Sequence, residues 1–271
     1  MTEISTEEYK RVLKNMLFDL DRICTENDIS YFVSFGSLLG TVRHNGFIPW
    51  DDDVDISLYY TELPKLKKAL EKNEKYYILD SSCPTPYYNN FPRFCSREYA
   101  LKLKGVIDIE DLGAFIDIFV LYDVPSEKEE REKLYRSLKR DRENVINSLP
   151  LRCFSTLKTK QKIKKLLSLP GLLKNRGKYS ENVKKRDETL HTFDGIDSTF
   201  VASLFDHPHD RDLMKKEDIF DIVSHSFEDI EVKIPRNYDL MLTTRYGDYM
   251  KLPPEKQRRS THHFKVYKKE C

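Results

Sequence analysis

The 271-residue chain is long enough for one large domain or two small ones, and its 39% hydrophobic content excludes a largely disordered protein. Charged residues make up 34% of the chain, yet 46 lysines and arginines nearly balance 45 aspartates and glutamates, which leaves a net charge of +1. The five scattered cysteines predict no disulfide framework or zinc site. Because no segment reaches the ~18 apolar residues of a membrane helix and the N-terminus is acidic, we expect a cytoplasmic protein.

The first 125 residues alternate between helical and strand patterns. Ser5 and Glu8 form a capping box, and apolar residues recur at helical spacing up to Asn27, which predicts a helix. Aromatic and β-branched runs separated by turn residues then predict short strands and helices. In chain order these are a strand over 31–35, a helix over 38–44 closed by Asn45 and Gly46, a strand over 54–60, a helix over 61–73, and strands over 76–79, 91–94 and 114–121.

The remainder of the chain is predicted to be more helical. Residues 126–148 read as a charged helix, and the last third mixes short helices with proline-containing loops. We therefore expect an α/β (α+β) fold, with a mixed sheet flanked by helices, in a single domain spanning residues 1–271. Residues 1–125 form the predicted core, 126–195 a basic helical insertion, and 196–271 a C-terminal helical and loop extension that completes the domain.

The segment 152–186 is strongly basic. It carries twelve lysines and arginines against one acid, Glu181, which gives a local charge of +11, and its leucines surround Pro170 and Gly171. Such a segment is either a solvated helical face or a surface that meets anionic lipid headgroups, so the protein could be peripheral on the inner face of the membrane. Aromatic residues are not interleaved with the cations, so we expect no nucleic-acid partner.

A cluster of carboxylates precedes the second predicted strand. The four aspartates are Asp51, Asp52, Asp53 and Asp55. Alternate residues of a strand share a face, so Asp53 and Asp55 point the same way while Val54 and Ile56 face the core. Converging carboxylates form a hard oxygen site, which predicts that Mg²⁺ or Mn²⁺ binds here.

Asp117 supplies a third candidate ligand. It lies in the apolar strand 114–121 between Ile116 and Ile118, where an acid is unfavourable without a metal or a cation. A carboxylate on a neighbouring strand would complete a two-metal site of the kind that handles phosphates.

Several protein classes share a DxD sequence. An EF-hand requires glycine where this chain has Ile56, and an aspartyl phosphatase requires Thr or Val where it has Ser57. Upstream, Gly36 and Ser37 open a short helix after a strand, an arrangement whose backbone N–H groups cradle phosphates in nucleotidyltransferases. A glycosyltransferase that uses the DxD on a nucleotide sugar stays open at this point.

The sequence around these aspartates resembles the signature of the LicD family. Residues 35–44 and 46–56 carry the resemblance most specifically, and it continues at 116–119, 227–228, 234–235, 245–249 and 252–254. LicD proteins are phosphocholine transferases of bacterial surface glycans, are related to the fukutin-type ribitol-phosphate transferases, and have a fold similar to that of nucleotidyltransferases.

The resemblance implies transfer of an alcohol phosphate, with phosphocholine as the first choice, from a CDP-linked donor such as CDP-choline. The acceptor would be a hydroxyl of a cell-surface glycan of the lipopolysaccharide, teichoic acid or capsule type, possibly bound to lipid, and CMP would leave. A nucleotidylyltransferase that releases pyrophosphate, a DxD glycosyltransferase and a non-catalytic nucleotide-binding module are the alternatives.

Roles for individual residues follow from this reaction. Asp53, Asp55 and Asp117 are assigned to the metal, and Asp51 and Asp52 are candidates for the general base or for outer metal contacts. The donor and its phosphates are assigned to Gly36, Ser37, Arg43, His44, Arg258, Arg259, His262 and His263. For Arg43, an ion pair with Asp51 or Asp52 is the structural alternative.

Choline carries a quaternary ammonium, which favours contact with aromatic rings. The candidate aromatic residues are Tyr87, Tyr88, Phe91 and Phe94.

Overall fold

A computed structural model describes residues 1–162, 169–205, 210–260 and 264–270 of the chain. The helices are α1 (Thr6–Glu26), α2 (Phe35–His44), α3 (Glu62–Leu70), α4 (Lys128–Ser148), α5 (Leu169–Asn175), α6 (Tyr179–Leu190), α7 (Lys216–Ile219) and α8 (Tyr238–Tyr246). Single 3₁₀ turns lie at Leu151–Phe154, Asp210–Asp212 and Glu255–Gln257.

The strands are β1 (Thr2–Glu3), β2 (Phe32–Val33), β3 (Asp55–Tyr59), β4 (Tyr76–Leu79), β5 (Arg93–Ser96), β6 (Tyr99–Leu103), β7 (Phe115–Asp123), β8 (Phe200–Ser203), β9 (Leu213–Lys215), β10 (Ile222–Phe227), β11 (Ile230–Pro235) and β12 (Phe264–Lys268).

The strands form one large sheet and two smaller ones. The large sheet has the order β2-β3-β7-β5-β4, with β8 paired to the end of β7 and β9 paired to β8. Strands β3 and β7 run parallel, whereas the other pairs of this sheet are antiparallel. Strands β1, β12 and β6 form an antiparallel three-stranded sheet, and β10 and β11 form a hairpin. The predicted α/β class, a mixed sheet flanked by helices, is confirmed.

Helix α1 supports the sheet through an apolar face. The Ser5 side chain accepts a hydrogen bond from the backbone N–H of Glu8 at 3.1 Å, so the predicted N-cap is confirmed. Leu13, Leu17 and Leu20 are fully buried, and the helix packs against β7 and β11. Burying each of these leucines contributes roughly 1.5–3 kcal/mol, so this contact is a major part of the core.

Some predicted boundaries are wrong. The strand over 31–35 is reduced to Phe32–Val33 because the next helix already begins at Phe35. The helix after Thr61 ends at Leu70, and the Thr61 side chain makes no capping hydrogen bond. The strand predicted over 91–94 lies at Arg93–Ser96, where it pairs with both β4 and β7. By contrast, Asn45 closes α2 in the left-handed conformation, as predicted.

The last third of the chain contains more strand than predicted. Strand β12 pairs with β6, and neither strand was predicted. The hairpin β10–β11 pairs from Ile222 and Pro235 to Phe227 and Ile230, at the turn. It packs against α1, α2 and β2, and the backbone N–H of Glu228 in its turn donates to the carbonyl of Asn45 at 2.6 Å.

The basic segment is partly built into the fold. Helix α6 packs along α4, and the side chain of Asn182 donates to the carbonyl of Asn144 at 3.3 Å. Arg186 is only 2% exposed, donates to the carbonyl of Asn89 at 3.0 Å and pairs with Asp187. Arg186 therefore belongs to the interior and not to the basic surface predicted for this segment.

Lys164 and Lys165 lie outside the described residues. Within the part of the chain that the structure describes, no helix has both the length and the apolar character needed to cross a bilayer.

Candidate active site

The first turn of α2 holds the start of β3 in place. The backbone N–H of Asp55 donates to the Ser37 hydroxyl at 2.8 Å, and the backbone N–H of Ser34 donates to the Asp55 carbonyl at 2.9 Å. Phe35, between these serines, has a φ of 48°, a left-handed conformation that is rare for an aromatic residue. The buried Ser37 hydroxyl therefore positions Asp55, whereas the sequence predicted that it contacts phosphate.

The parallel pairing of β3 with β7 brings two of the predicted metal ligands together. Asp55 lies directly opposite Asp117 in the register, and the Asp117 N–H donates to the carbonyl of Val54 at 3.0 Å. The loop 51–54 therefore enters the sheet at the end of β7 that carries Asp117. The neighbouring-strand relationship predicted for Asp55 and Asp117 is confirmed.

The carboxylates of this site repel one another. Burial raises the pKa of Asp55 well above its ordinary value, and the charges of Asp53, Asp117 and Asp51 raise it further. The positive charge of Arg245 lowers this pKa and opposes the repulsion. The charged form of Asp55 is therefore unfavourable unless a further cation is present.

Arg93 is a residue of the site that the sequence analysis missed. It lies opposite Asp117 on β5, and its Nε donates to Oδ1 of Asp117 at 2.7 Å. Its guanidinium carbon lies 3.8 Å from the centroid of the Phe115 ring. A signal was present, since an arginine in an apolar strand requires a buried partner, but identifying that partner required the strand register.

Arg245 brings a second cation to the site from the C-terminal part of the chain. It lies in α8, pairs with the buried carboxylate of Asp212, and stacks 4.4 Å from the centroid of the Phe35 ring at the start of α2. The segment 245–249, which carries part of the family resemblance, thus brings a positive charge near Asp55, although the two are far apart in sequence.

A cavity of about 510 Å³ opens beside the carboxylates. Its polar lining consists mainly of Asp52, Asp53, Asp117, Arg93 and Arg142. Its aromatic lining consists of Tyr9, Tyr88, Phe91, Phe115 and Phe264. We call this cavity the carboxylate pocket; it places acids, cations and aromatic rings around one space.

Only part of the predicted aromatic group reaches the carboxylate pocket. Tyr88 and Phe91 line it, as expected for the candidate choline contacts. Tyr87 and Phe94 are 1% and 0% exposed and belong to the core, where the Tyr87 hydroxyl donates to the carbonyl of Phe91 at 2.8 Å. The prediction is therefore wrong for these two residues, because their side chains face the interior.

The insertion also contributes to this pocket. Arg142 and Ile146 of α4, together with Leu157 and Gln161, form part of its wall. Gln161 is held there by a hydrogen bond from its Nε2 to the carbonyl of Gly105, at 2.8 Å. The predicted insertion therefore contributes residues to the wall of the site.

The C-terminal basic run reaches the acidic loop. The Ser260 hydroxyl donates to Oδ1 of Asp52 at 2.9 Å, and the guanidinium of Arg258 lies 5.7 Å from the Trp50 ring centroid. Arg259 is exposed to solvent. His262 and His263, the other predicted donor contacts of this run, lie outside the described residues.

Arg43 binds both the C-terminal segment and its neighbour His44. Arg43 donates through Nη1 to the carbonyl of Tyr249 at 2.7 Å and through Nε to Nε2 of His44 at 3.0 Å. Burial and the Arg43 charge lower the pKa of His44, which keeps its ring neutral and able to accept this bond. Among the described residues Arg43 makes no ion pair with Asp51 or Asp52, so that structural alternative is wrong.

The carboxylates of the site suit the Mg²⁺ or Mn²⁺ that the sequence predicts. Among the described residues, no three His, Cys, Asp or Glu side chains are already arranged around a common point as a metal site requires. The chemistry of the site nevertheless fits a hard cation, because buried and partly buried carboxylate oxygens crowd together and raise the pKa of Asp55. Asp117 shares its Oδ1 with Arg93, so that cation would compete with a guanidinium for this carboxylate.

Two glycines of α2 allow a matched test of this arrangement. A Cβ added to Gly40 would lie 2.5 Å from the carbonyl oxygen of Gly46. A Cβ added to Gly36 would lie 3.0 Å from Oδ2 of Asp51. We expect Gly40→Ala to lower the free energy of unfolding by about 1–3 kcal/mol, because a backbone carbonyl must move.

For Gly36→Ala we expect less than ~1 kcal/mol of destabilisation but reduced activity, since a carboxylate of the site moves instead. Urea denaturation and activity measured on both variants test this; equal stability losses with unchanged activity would show that Gly36 is an ordinary helix position.

Comparison with known proteins shows which family the chain resembles. Residues 28–160 match the family model described as LicD/FKTN/FKRP, nucleotidyltransferase domain, a segment that contains the four clustered aspartates, Asp117 and Arg93. The chain is 26% identical to the lipopolysaccharide cholinephosphotransferase LicD of Haemophilus influenzae over 98% of this chain and 99% of that protein.

Two uncharacterized proteins, from Rickettsia typhi and Rickettsia prowazekii, are 35% and 38% identical to it over 81 and 63 residues. These alignments cover 26% and 23% of this chain and 26% and 24% of those proteins. The chain therefore carries a domain of the LicD family.

Proposed function

We propose that this protein is a metal-dependent transferase that moves phosphocholine from CDP-choline to a hydroxyl of a cell-surface glycan and releases CMP. The observation that carries the proposal is the carboxylate pocket, where Asp52, Asp53 and Asp117 share one space with aromatic rings and arginines. The similarity over nearly the whole chain to a lipopolysaccharide cholinephosphotransferase supports the same reaction and a lipopolysaccharide-type acceptor.

In this reaction the acceptor hydroxyl oxygen forms a bond to the phosphorus that carries choline. The bond from that phosphorus to the CMP oxygen breaks, and the hydroxyl proton passes to a base. We assign the base to Asp52 rather than Asp51, because Asp52 lines the pocket whereas the carboxylate of Asp51 lies against Gly36. The hydrogen bond from Ser260 orients the Asp52 carboxylate.

Asp53, Asp55 and Asp117 are the residues that would hold Mg²⁺ or Mn²⁺. When bound, such an ion neutralises charge on the diphosphate and stabilises the leaving group. The CDP-linked donor and the metal are parts of this proposal. Glycans of the teichoic acid or capsule type are the other acceptors that it includes.

Arg93 is proposed to contact a phosphate oxygen. Its Nε is engaged with Asp117, but its buried Nη1 has no hydrogen-bond acceptor among the described residues. A buried N–H without an acceptor is unfavourable, and a phosphate oxygen in the pocket would satisfy it with a charge-assisted bond.

The aromatic rings of the pocket are proposed to contact choline. The rings of Tyr88 and Phe91 line the same space as three carboxylates, so both the ring faces and the negative charge attract a quaternary ammonium. Arg93 lies 5.9 Å from the Phe91 ring centroid and Arg142 5.9 Å from that of Tyr88, so choline would compete with these guanidiniums for the ring faces.

The leaving group tests the reaction class. We expect the protein, given CDP-choline, Mg²⁺ and a glycan acceptor, to release CMP in amounts equal to the modified acceptor. Release of pyrophosphate from a nucleoside triphosphate would instead identify a nucleotidylyltransferase, and release of a nucleoside diphosphate from a nucleotide sugar would identify a glycosyltransferase. Either result, without CMP, would contradict the proposal.

A further inference from the structure

An apolar groove with a basic border lies beside the active site. It measures about 680 Å³ and is lined by residues of the 3₁₀ turn Leu151–Phe154 and of α5 and its flanks. Leu151, Leu169 and Leu173 of this groove are 79%, 47% and 63% exposed. Exposed leucines that share one groove indicate a surface that meets another apolar phase.

The charges around the groove have one sign. Of the described residues that line it, Arg176 is the only charged one, and no carboxylate lines it. Exposed cations adjoin it in the sequence at Arg152, Lys174 and Lys178. Arg152 is paired with Glu110 at 3.1 Å, so the unopposed part of this border lies at 174–178.

The groove is a neighbour of the carboxylate pocket. Ile146 lines the carboxylate pocket, while the next residues of the chain, Asn147 to Leu151, line the groove. Between them lies a small core in which Leu149, Cys153 and Phe154 pack against Tyr88, a residue of the pocket wall. A partner bound at the groove would therefore sit next to the site of phosphoryl transfer.

We propose that this surface, defined as Leu151, Leu169, Leu173, Lys174, Arg176 and Lys178 and called the docking face, binds an anionic lipid leaflet reversibly. The leucines enter the headgroup region while the cations contact lipid phosphates, which is the arrangement of interfacial protein segments. The proposal deepens the proposed function and rests on it for its purpose: a glycan acceptor attached to lipid would be presented beside the carboxylate pocket.

Charge complementarity favours a lipid surface over a second copy of the chain. Two copies joined through the docking face would place Lys174, Arg176 and Lys178 of each against the same cations of the other, which is unfavourable. An anionic leaflet opposes these cations with negative charge across the whole face.

Sedimentation of the full-length protein with vesicles tests the proposal without substrate. We expect binding to phosphatidylcholine vesicles that contain phosphatidylserine but not to phosphatidylcholine alone, with binding that weakens as salt screens the charges. Reversing three cations, in Lys174→Glu/Arg176→Glu/Lys178→Glu, should weaken binding by at least about 100-fold, because the loss of each positive charge alone costs roughly a factor of five.

The matched control reverses three exposed lysines elsewhere, in Lys68→Glu/Lys72→Glu/Lys139→Glu, and should retain most of the binding. A second variant, Leu151→Ser/Leu173→Ser, keeps every charge and should weaken binding even at low salt. All variants should transfer phosphocholine normally to a water-soluble acceptor fragment.

Three results would overturn the docking face. The wild type could fail to bind anionic vesicles at low salt, or the control reversals could weaken binding as much as the reversals at the docking face. Alternatively, the leucine variant could leave vesicle binding unchanged and convert a dimer to a monomer in light scattering, which would identify a self-association surface. Since vesicle binding needs no activity, loss of the proposed transferase function and loss of docking are distinguishable.

Discussion

Asp53→Asn and Asp55→Asn should each lower turnover by at least ~10³-fold while the protein stays folded. An amide has nearly the shape of the carboxylate but lacks its charge, and a catalytic cation contributes several kcal/mol to transition-state stabilisation. Asp55→Asn should also keep or raise the melting temperature measured in EDTA, because it removes a buried charge that Asp53, Asp117 and Asp51 repel. Steady-state kinetics and thermal denaturation of the same preparations measure both effects.

Asp123→Asn is the matched control for these variants. Asp123 ends β7, six positions after Asp117, and its buried carboxylate accepts from the Tyr59 hydroxyl at 2.7 Å and pairs with Lys216 at 2.6 Å. The change should lower stability and leave the turnover of the folded molecules unchanged. If Asp55→Asn instead keeps near-wild-type turnover with Mg²⁺, Asp55 is not a metal ligand.

Arg93→Met should have the largest effect on stability, a loss of about 3–5 kcal/mol in the free energy of unfolding. The change removes the guanidinium that pairs with Asp117 at 2.7 Å, so a mostly buried carboxylate beside Asp55 loses its charge-assisted hydrogen bond from Arg93. Urea denaturation in EDTA measures the loss without a bound cation that could replace the arginine.

Two further variants separate charge from packing at this position. Arg93→Met combined with Asp117→Asn should recover part of the lost stability, because the group that has lost the guanidinium is then neutral. Arg93→Lys keeps the charge but loses the planar contact with Phe115, so its stability should be intermediate. A loss below ~1 kcal/mol for Arg93→Met, or a double variant no more stable than the single one, would contradict this account of the pair.

The acidic loop and its strand could be predicted because local sequence constrains them. Four aspartates followed by alternating apolar residues favour a strand that holds Val54 and Ile56 in the core and presents carboxylates at its start. Asp117 could be predicted as their neighbour because an acid in an apolar strand needs a buried counter-charge or a metal. The structure adds the register that places it opposite Asp55.

Features that depend on pairing between distant segments could not be predicted in this way. Arg93 became a site residue only through the register of β5 with β7. Strand β12 has lysines at 265 and 268 and a single buried side chain, Val266, so its pattern is weak until its pairing with β6 is known. The ranking of Asp52 over Asp51 likewise depends on the side of the loop on which each carboxylate lies.

Mass spectrometry of a lipopolysaccharide-type acceptor tests the central claim most directly. The acceptor is incubated with the protein, Mg²⁺ and an equimolar mixture of CDP-choline, CDP-ribitol and CDP-glycerol. We predict a mass increase equal to one phosphocholine group, absent with Asp55→Asn and present with Asp123→Asn. Addition of ribitol phosphate or glycerol phosphate in its place, or an acceptor unchanged while the wild type is folded and bound to CDP-choline, would contradict the assignment of this site to phosphocholine transfer.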